Sequence, residues 1–248
     1  MKQYFDFTGK VVLVTGGSRG LGAALCRAFA RQGADVVIAS RKLENCAALA
    51  REIEAETGRR ALPVAAHVGR WDDIERLVDA AYGAFGKVDV LVNNAGMSPL
   101  AASSLDTSEA LFDKVLEVNF KGPFRLAALV GSRMAAGDGG SIVNITSIGA
   151  IRPQPAYGPY AGAKAALNAV TQAFAHEYAP RVRVNAIMPG SFRTDIAKSW
   201  DPAKEAATPA ALKRFGEPEE IVGTVMYLAS EAGSFTTGAV IRVDGGRP

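Results

Sequence analysis

Short apolar runs alternate along the whole chain with longer segments whose apolar residues recur every three or four positions. The runs Lys10 to Thr15 (KVVLVT), Ala34 to Ser40 (ADVVIAS), Ala61 to Ala66, Val88 to Asn93, Ser141 to Thr146, Val182 to Met188 and Ala239 to Val243 read as strands. A run such as KVVLVT, apolar without alternation, is the pattern of a strand covered on both faces. The segments near Leu21 to Gln32, Lys42 to Thr57, Trp71 to Phe85, Ser108 to Glu117, Phe120 to Ala136, Tyr157 to Tyr178 and Pro218 to Ser230 read as helices. Gly33, Gly58 and Gly86 stand where three of them stop, as helix C-caps do. This alternation implies βα units, right-handed crossovers and an α/β doubly wound fold, with a seven-stranded parallel sheet and helices on both faces.

At 248 residues such a chain can form a single domain, and no linker or internal repeat divides it. The looser stretch 192–216, with Trp200, Pro202 and Pro209, reads as a lid or substrate loop. Composition narrows the partners. The chain is 48% hydrophobic and 21% charged, as soluble globular proteins are. Its net charge is +3 with Lys and Arg dispersed, so it lacks the basic stripe that nucleic-acid binding needs. The N-terminal MKQYFDFTGK has no apolar leader, and no apolar run reaches the ~18 residues of a membrane span. The expected compartment is the cytoplasm, with no membrane partner. Cys26 and Cys46 fall in different helices without metal-ligand spacing, which reads as no metal site and favours reduced packing residues over a disulfide.

The unusual residues sit where strands end, and ligands of doubly wound sheets bind there. Thr15 to Gly22 joins the first strand to the first helix with glycines at 16, 17, 20 and 22. Such a turn brings backbone N–H groups close to a pyrophosphate at a helix N-terminus. Ser141 to Lys164 runs from a strand ending at Ser147, through a Pro-rich loop, into a helix carrying Tyr160 and Lys164. The i, i+4 spacing places these two on one helical face. A cation beside a phenol favours the phenolate, so the expectation is a lowered Tyr160 pKa and proton transfer at a carbonyl or alcohol oxygen. Tyr157 competes for that role, but Ala161, not Lys, stands four residues after it.

Taken together, these motifs resemble the short-chain dehydrogenase/reductase family from Lys10 to Gly246. The family's glycine turn fits Gly16, Ser18, Arg19, Gly20, Leu21 and Gly22. Its Asn-Asn-Ala-Gly motif fits Asn93, Asn94, Ala95 and Gly96, and its Pro-Gly followed by Thr fits Pro189, Gly190, Phe192 and Thr194. The resemblance implies a Rossmann-type fold, a catalytic set of Asn119, Ser147, Tyr160 and Lys164, and reversible hydride transfer on a ketone or 3-oxoacyl-type compound. Tyr160 and Lys164 would also contact the cofactor. An Asp or Glu at the end of the second strand would suit NAD(H), whereas Arg accommodates a 2′-phosphate. Here Ser40 and Arg41 stand at that end with Arg19 in the glycine turn, so NADP(H) is favoured over NAD(H).

One departure is His67-Val68, where the family has Asp-Val at the adenine. His67 would accept the adenine amino hydrogen through an unprotonated ring nitrogen, or stack on the base. Substrate is expected against Ser98 to Leu100, Ile148 to Tyr157, and Ser191 onward with Phe192, Ile196 and Trp200. Arg152, Gln154 and Arg193 lie nearby in sequence. The family also implies a homo-oligomer, commonly a tetramer. Two other readings stay open: an NAD-dependent alcohol or polyol dehydrogenase, and a non-catalytic nucleotide sensor.

Overall fold

The computed structural model describes residues 4–194, 205 and 207–248. Its strands are β1 (Val11–Thr15), β2 (Asp35–Ser40), β3 (Ala61–Ala65), β4 (Val90–Asn93), β5 (Gly140–Ile145), β6 (Val182–Pro189) and β7 (Val240–Val243). Among the described residues they form one seven-stranded sheet in the order β3-β2-β1-β4-β5-β6-β7, and every pairing is parallel. The order reverses between β1 and β4. That reversal opens the crevice in which doubly wound sheets hold ligands.

The helices are α1 (Gly20–Arg31), α2 (Leu43–Thr57), α3 (Trp71–Phe85), α4 (Glu109–Leu116), α5 (Gly122–Ala136), α6 (Gly158–Glu177) and α7 (Val222–Ala229). Alternate residues of β1 and β2 feed two cores. Val12, Val14, Val36 and Ile38 meet Leu25 and Phe29 of α1, Leu49 and Ile53 of α2, and Val225 of α7. Val11, Leu13, Val37 and Ala39 meet Ile74 and Leu77 of α3, Leu126 and Val130 of α5, and Phe174 of α6. Each such fully buried side chain contributes about 1.5–3 kcal/mol. Because both faces of β1 are covered, its residues are all buried, and that is why its sequence shows no alternation.

Element ends follow local chemistry. Gly58 (φ 67°) and Gly86 (φ 75°) close α2 and α3 in the left-handed region, where a side chain would be strained. The sequence predicts two helices over 108–136. The structure joins them through a π-helical turn, Glu117–Lys121. Asn119 Nδ2 donates to the Val115 carbonyl 2.9 Å away, a bond of the kind that competes with the helical ladder. The chain widens, and the Gly122 N–H donates to the Glu117 carbonyl. Gly122 itself is required there, because a β-carbon would collide with the Val68 carbonyl at the end of β3.

Candidate active site

The glycine turn is tied to the end of β4 by Thr15 and Asn94. Thr15 Oγ1 accepts the N–H groups of Asn94 and Ala95, each at 3.1 Å. Asn94 Nδ2 donates to the Thr15 carbonyl at 2.9 Å and the Gly16 carbonyl at 3.2 Å. These bonds hold the turn too tightly for side chains: a β-carbon at Gly22 would strike the Gly16 carbonyl, and one at Gly16 (φ 62°) would lie 2.9 Å from Ala95 Cα. A β-carbon at Gly20 would meet Thr194 at 3.3 Å, so the segment after β6 borders the turn. This cradle of close, side-chain-free backbone at the start of α1 fits a dinucleotide pyrophosphate. The sequence places Thr15 at the start of the glycine turn but gives its hydroxyl no bonding role, although a hydroxyl ending an apolar strand next to glycines is a signal.

At the β2 end, Ser18 Oγ donates to Ser40 Oγ at 2.9 Å, and Ser40 Oγ lies 3.0 Å from Cys46 Sγ. Arg41 is exposed beside them and takes no ion pair with any described residue. Arg19 is exposed in the glycine turn. Both cysteines are free and buried. Asp35 pairs with Arg59 at 2.8 Å and Arg60 at 2.8 Å at the start of β2, at the opposite end of the strand from Ser40 and Arg41.

At the β5 end, Ser147 Oγ accepts the Gly149 N–H at 3.0 Å. The Ser147 hydroxyl also acts on the Tyr160 phenol, lowering its pKa, but burial raises it more, and the net direction is upward. Tyr160 is partly exposed as a residue, yet protein encloses its phenol. Lys164 Nζ stands 5.9 Å from the centre of the Tyr160 ring and donates to the Ile145 carbonyl at 2.9 Å. Burial brings the Lys164 ammonium down to about 8. The expectation of a phenol lowered by its neighbouring cation is therefore overturned, because desolvation of the phenolate outweighs the stabilising contacts.

Asn119 is fully buried. Its Nδ2 donates to the Met97 carbonyl at 2.8 Å, and its Oδ1 accepts the Met97 N–H at 3.2 Å. It does not touch Lys164 directly. A β-carbon at Gly96 would stand 3.1 Å from Asn119 Oδ1 and 3.5 Å from Lys164 Nζ, so the missing side chain leaves a gap bordered by both. Beneath the site, Asn93 Nδ2 donates to Asn144 Oδ1 at 2.9 Å, and Asn144 Nδ2 to Thr171 Oγ1 at 2.9 Å. This buried chain couples β4, β5 and α6. Its sequence signal was Asn144 interrupting an otherwise apolar strand.

Other expected residues fall differently. His67 Nδ1 accepts the Gly69 N–H at 3.1 Å, so that nitrogen is already engaged and a neutral ring carries its proton on Nε2. The acceptor role expected toward adenine is removed at Nδ1, and stacking or donation remains. Val68 is buried, and the Phe192 ring is buried against Gly216. Pro189 closes β6, and Gly190 approaches Asp244 too closely for a β-carbon. Arg193 is held by Glu205 and Glu217, while Arg152 Nε donates to the Pro248 carbonyl at 2.8 Å. Both cations are thus engaged by protein groups. Ile196 and Trp200 lie outside the described residues, as do residues 195–204 and 206 of the lid segment as a whole.

Residues 16–247 match the family model described as enoyl-(acyl carrier protein) reductase. The human dehydrogenase/reductase SDR family member 4 is 39% identical over 244 residues, covering 96% of this chain and 87% of that protein. The chain belongs to the short-chain dehydrogenase/reductase family. Members of this family are oxidoreductases that use a nicotinamide cofactor on alcohol or carbonyl groups, and this chain is one of them. Among solved members, L-sorbose reductase from Gluconobacter frateurii, complexed with NADPH and L-sorbose, superposes with a TM-score of 0.93 at 30% identity, covering 99% of this chain and 98% of that one. The NADPH-dependent 3-quinuclidinone reductase from Rhodotorula rubra gives 0.92 at 30% identity, with coverage of 98% and 93%. No described helix of this short-chain dehydrogenase/reductase is long and apolar enough to cross a membrane.

Proposed function

We propose that this chain is an NADP(H)-dependent reductase of a ketone or 3-oxoacyl-type compound, working reversibly on the corresponding secondary alcohol. The observation that carries the reading is the convergence of Ser147, Tyr160 and Lys164 at the β5 end beside the glycine turn. When bound, the nicotinamide supplies the hydride in reduction and accepts it in oxidation. Tyr160, protonated at neutral pH because burial raises its phenol, gives its proton to the substrate oxygen and takes it back in oxidation. Ser147 donates a hydrogen bond to the same oxygen and stabilises the charge that develops there. Lys164 would hold the nicotinamide ribose hydroxyls, and a water in the gap at Gly96 would link it to Asn119 for proton replacement.

The other half of the site holds the nucleotide. Gly16, Gly20, Leu21 and Gly22 present backbone to the pyrophosphate, and Ser18, Arg19, Ser40 and Arg41 hold the 2′-phosphate. His67 and Val68 border the adenine. Asn94, Ala95 and Gly96 would contact the cofactor on the ribose side, and Pro189, Gly190, Phe192 and Thr194 would contact it at the nicotinamide. The two NADPH-linked structures named above support this cofactor choice. We place the enzyme in the cytoplasm as a single-domain subunit of a homo-tetramer, with small-molecule partners and without nucleic acid or metal.

The test combines fluorescence titration with NADPH and loss of nicotinamide absorbance over a ketone panel. Tyr160→Phe is expected to lose ~10²–10⁴-fold in turnover and keep NADPH affinity. Arg41→Ala and Ser40→Asp are expected to raise the KM for NADPH and leave that for NADH. Wild-type turnover in the first variant removes the acid/base assignment. Unchanged cofactor preference in the other two removes the 2′-phosphate assignment.

A further inference from the structure

The two serines assigned to the 2′-phosphate are backed by a buried thiol. Ser40 closes β2 and Ser18 lies in the glycine turn, and both are half-buried. Ser18 Oγ donates to Ser40 Oγ at 2.9 Å. Cys46 Sγ stands 3.0 Å from the same Ser40 oxygen and its residue is fully buried. Cys46 belongs to the buried face of α2, whose other members, Leu49, Ala50 and Ile53, carry no polar side chain. Packing at that place needs only volume, which an apolar side chain would supply. The thiol adds a hydrogen-bond donor.

A hydroxyl has one proton to give and two lone pairs to fill. The Val64 carbonyl, the other acceptor of the Cys46 thiol among the described residues, is 3.8 Å away, so Ser40 Oγ is the nearer one. With Ser18 and Cys46 both donating to it, Ser40 Oγ accepts twice and its own proton is left to give. The Lys42 carbonyl takes that proton at 3.5 Å, beyond the ~2.5–3.0 Å usual for an O–H donor. A phosphate oxygen, charged and able only to accept, is the stronger partner.

We propose that Cys46 is a positioning residue for the cofactor: its thiol donates to Ser40 Oγ, turns the Ser40 proton toward the nucleotide, and so raises the preference for a 2′-phosphate over a 2′-hydroxyl. A ribose hydroxyl both donates and accepts, so it pairs with Ser40 in either orientation and gains little from the thiol. A phosphate cannot answer a lone pair, so its affinity depends on which way the Ser40 proton points. Cys46 acts through Ser40 and touches no ligand.

This inference rests on the NADP(H) reading, and one experiment separates the two. Calorimetry titrates 2′,5′-ADP and 5′-AMP, which differ only in the 2′-phosphate, into wild type, Cys46→Ala, Cys46→Val and Cys46→Ser, with a thermal melt confirming each fold. Cys46→Val keeps the core filled without a donor, so the comparison stands even where Cys46→Ala loses stability. The wild type is expected to bind 2′,5′-ADP more tightly than 5′-AMP. In Cys46→Ala and Cys46→Val that affinity ratio is expected to fall about 2- to 10-fold, the range of one neutral hydrogen bond, with 5′-AMP affinity unchanged. Cys46→Ser keeps a donor and is expected to hold the ratio closer to that of wild type. An unchanged ratio in the donor-less variants, an equal loss for both nucleotides, or a Cys46→Ser ratio as low as theirs overturns the role of Cys46 and leaves the NADP(H) reading intact. A wild type without preference for 2′,5′-ADP overturns that reading, and this inference with it.

Discussion

Lys164 is a cation buried at the end of β5, where it donates to the Ile145 carbonyl. It is 3% exposed, and burial lowers its ammonium from the ordinary 10.5 to about 8. Between those pH values the unfolded chain holds the proton and the folded chain does not, so stability rises with pH across that window. Below about pH 8 the full cost of the buried charge is present. Lys164→Met removes it: the thermal midpoint at pH 7 is expected to exceed that of wild type by a few degrees, the difference is expected to shrink by pH 10, and turnover is expected to be lost. Thermal melts at both pH values check this, and a lower midpoint at pH 7 would refute it. Buried functional charges carry this kind of trade between stability and activity. The Tyr160–Lys164 pair was legible in the sequence because helical spacing is local. The pKa directions were not, because they depend on how much protein closes over each group.

At the scale of elements, the strand–turn–helix unit from Val11 to Arg31 carries the site. Gly22 has no room for a β-carbon beside the Gly16 carbonyl, whereas Gly83, within α3, has open space. Gly22→Ala is expected to lower stability by about 1–3 kcal/mol through overpacking and to weaken NADPH binding. Gly83→Ala is expected to stabilise by about 0.5–1 kcal/mol, the helical preference of Ala over Gly, with binding intact. Urea unfolding and NADPH titration of both variants make the comparison, and equal effects would refute the packing argument. The glycine spacing was readable directly, since a tight turn demands it. The π-helical joint between α4 and α5 was not, because it arises from Asn119 bonding both Val115 and Met97, the latter far along the chain.

For the whole molecule, the apolar residues of α6 divide between core and surface. Leu167, Phe174 and Ala175 are buried, and Phe174 stacks on Tyr178 just past the helix with centroids 5.3 Å apart, whereas Ala165, Ala169 and Ala173 are exposed. Phe124, whose ring lies 5.3 Å from Phe174, and Phe112 remain exposed on the adjoining helices α5 and α4. Exposed aromatics of this kind suit subunit contacts. Light scattering is expected to give a solution mass four times that of one chain, and Phe124→Glu is expected to reduce it. A wild-type mass of a single chain would remove the tetramer proposal.

By itself the sequence determined what short-range chemistry controls: apolar periodicity, helix ends at glycine, the glycine turn after β1, and the spacing of Tyr160 and Lys164. Each depends on residues within a few positions of one another, and backbone geometry does the rest. Tertiary structure decided how those pieces act. It set Asn119 against Met97 and Gly96, engaged Arg193 and Arg152 with protein groups, occupied His67 Nδ1, and packed the ring of Tyr157 edge to face on that of Tyr160. Burial and hydrogen-bond partnership across distant segments are properties of the packed sheet and its helices, and no local pattern encodes them.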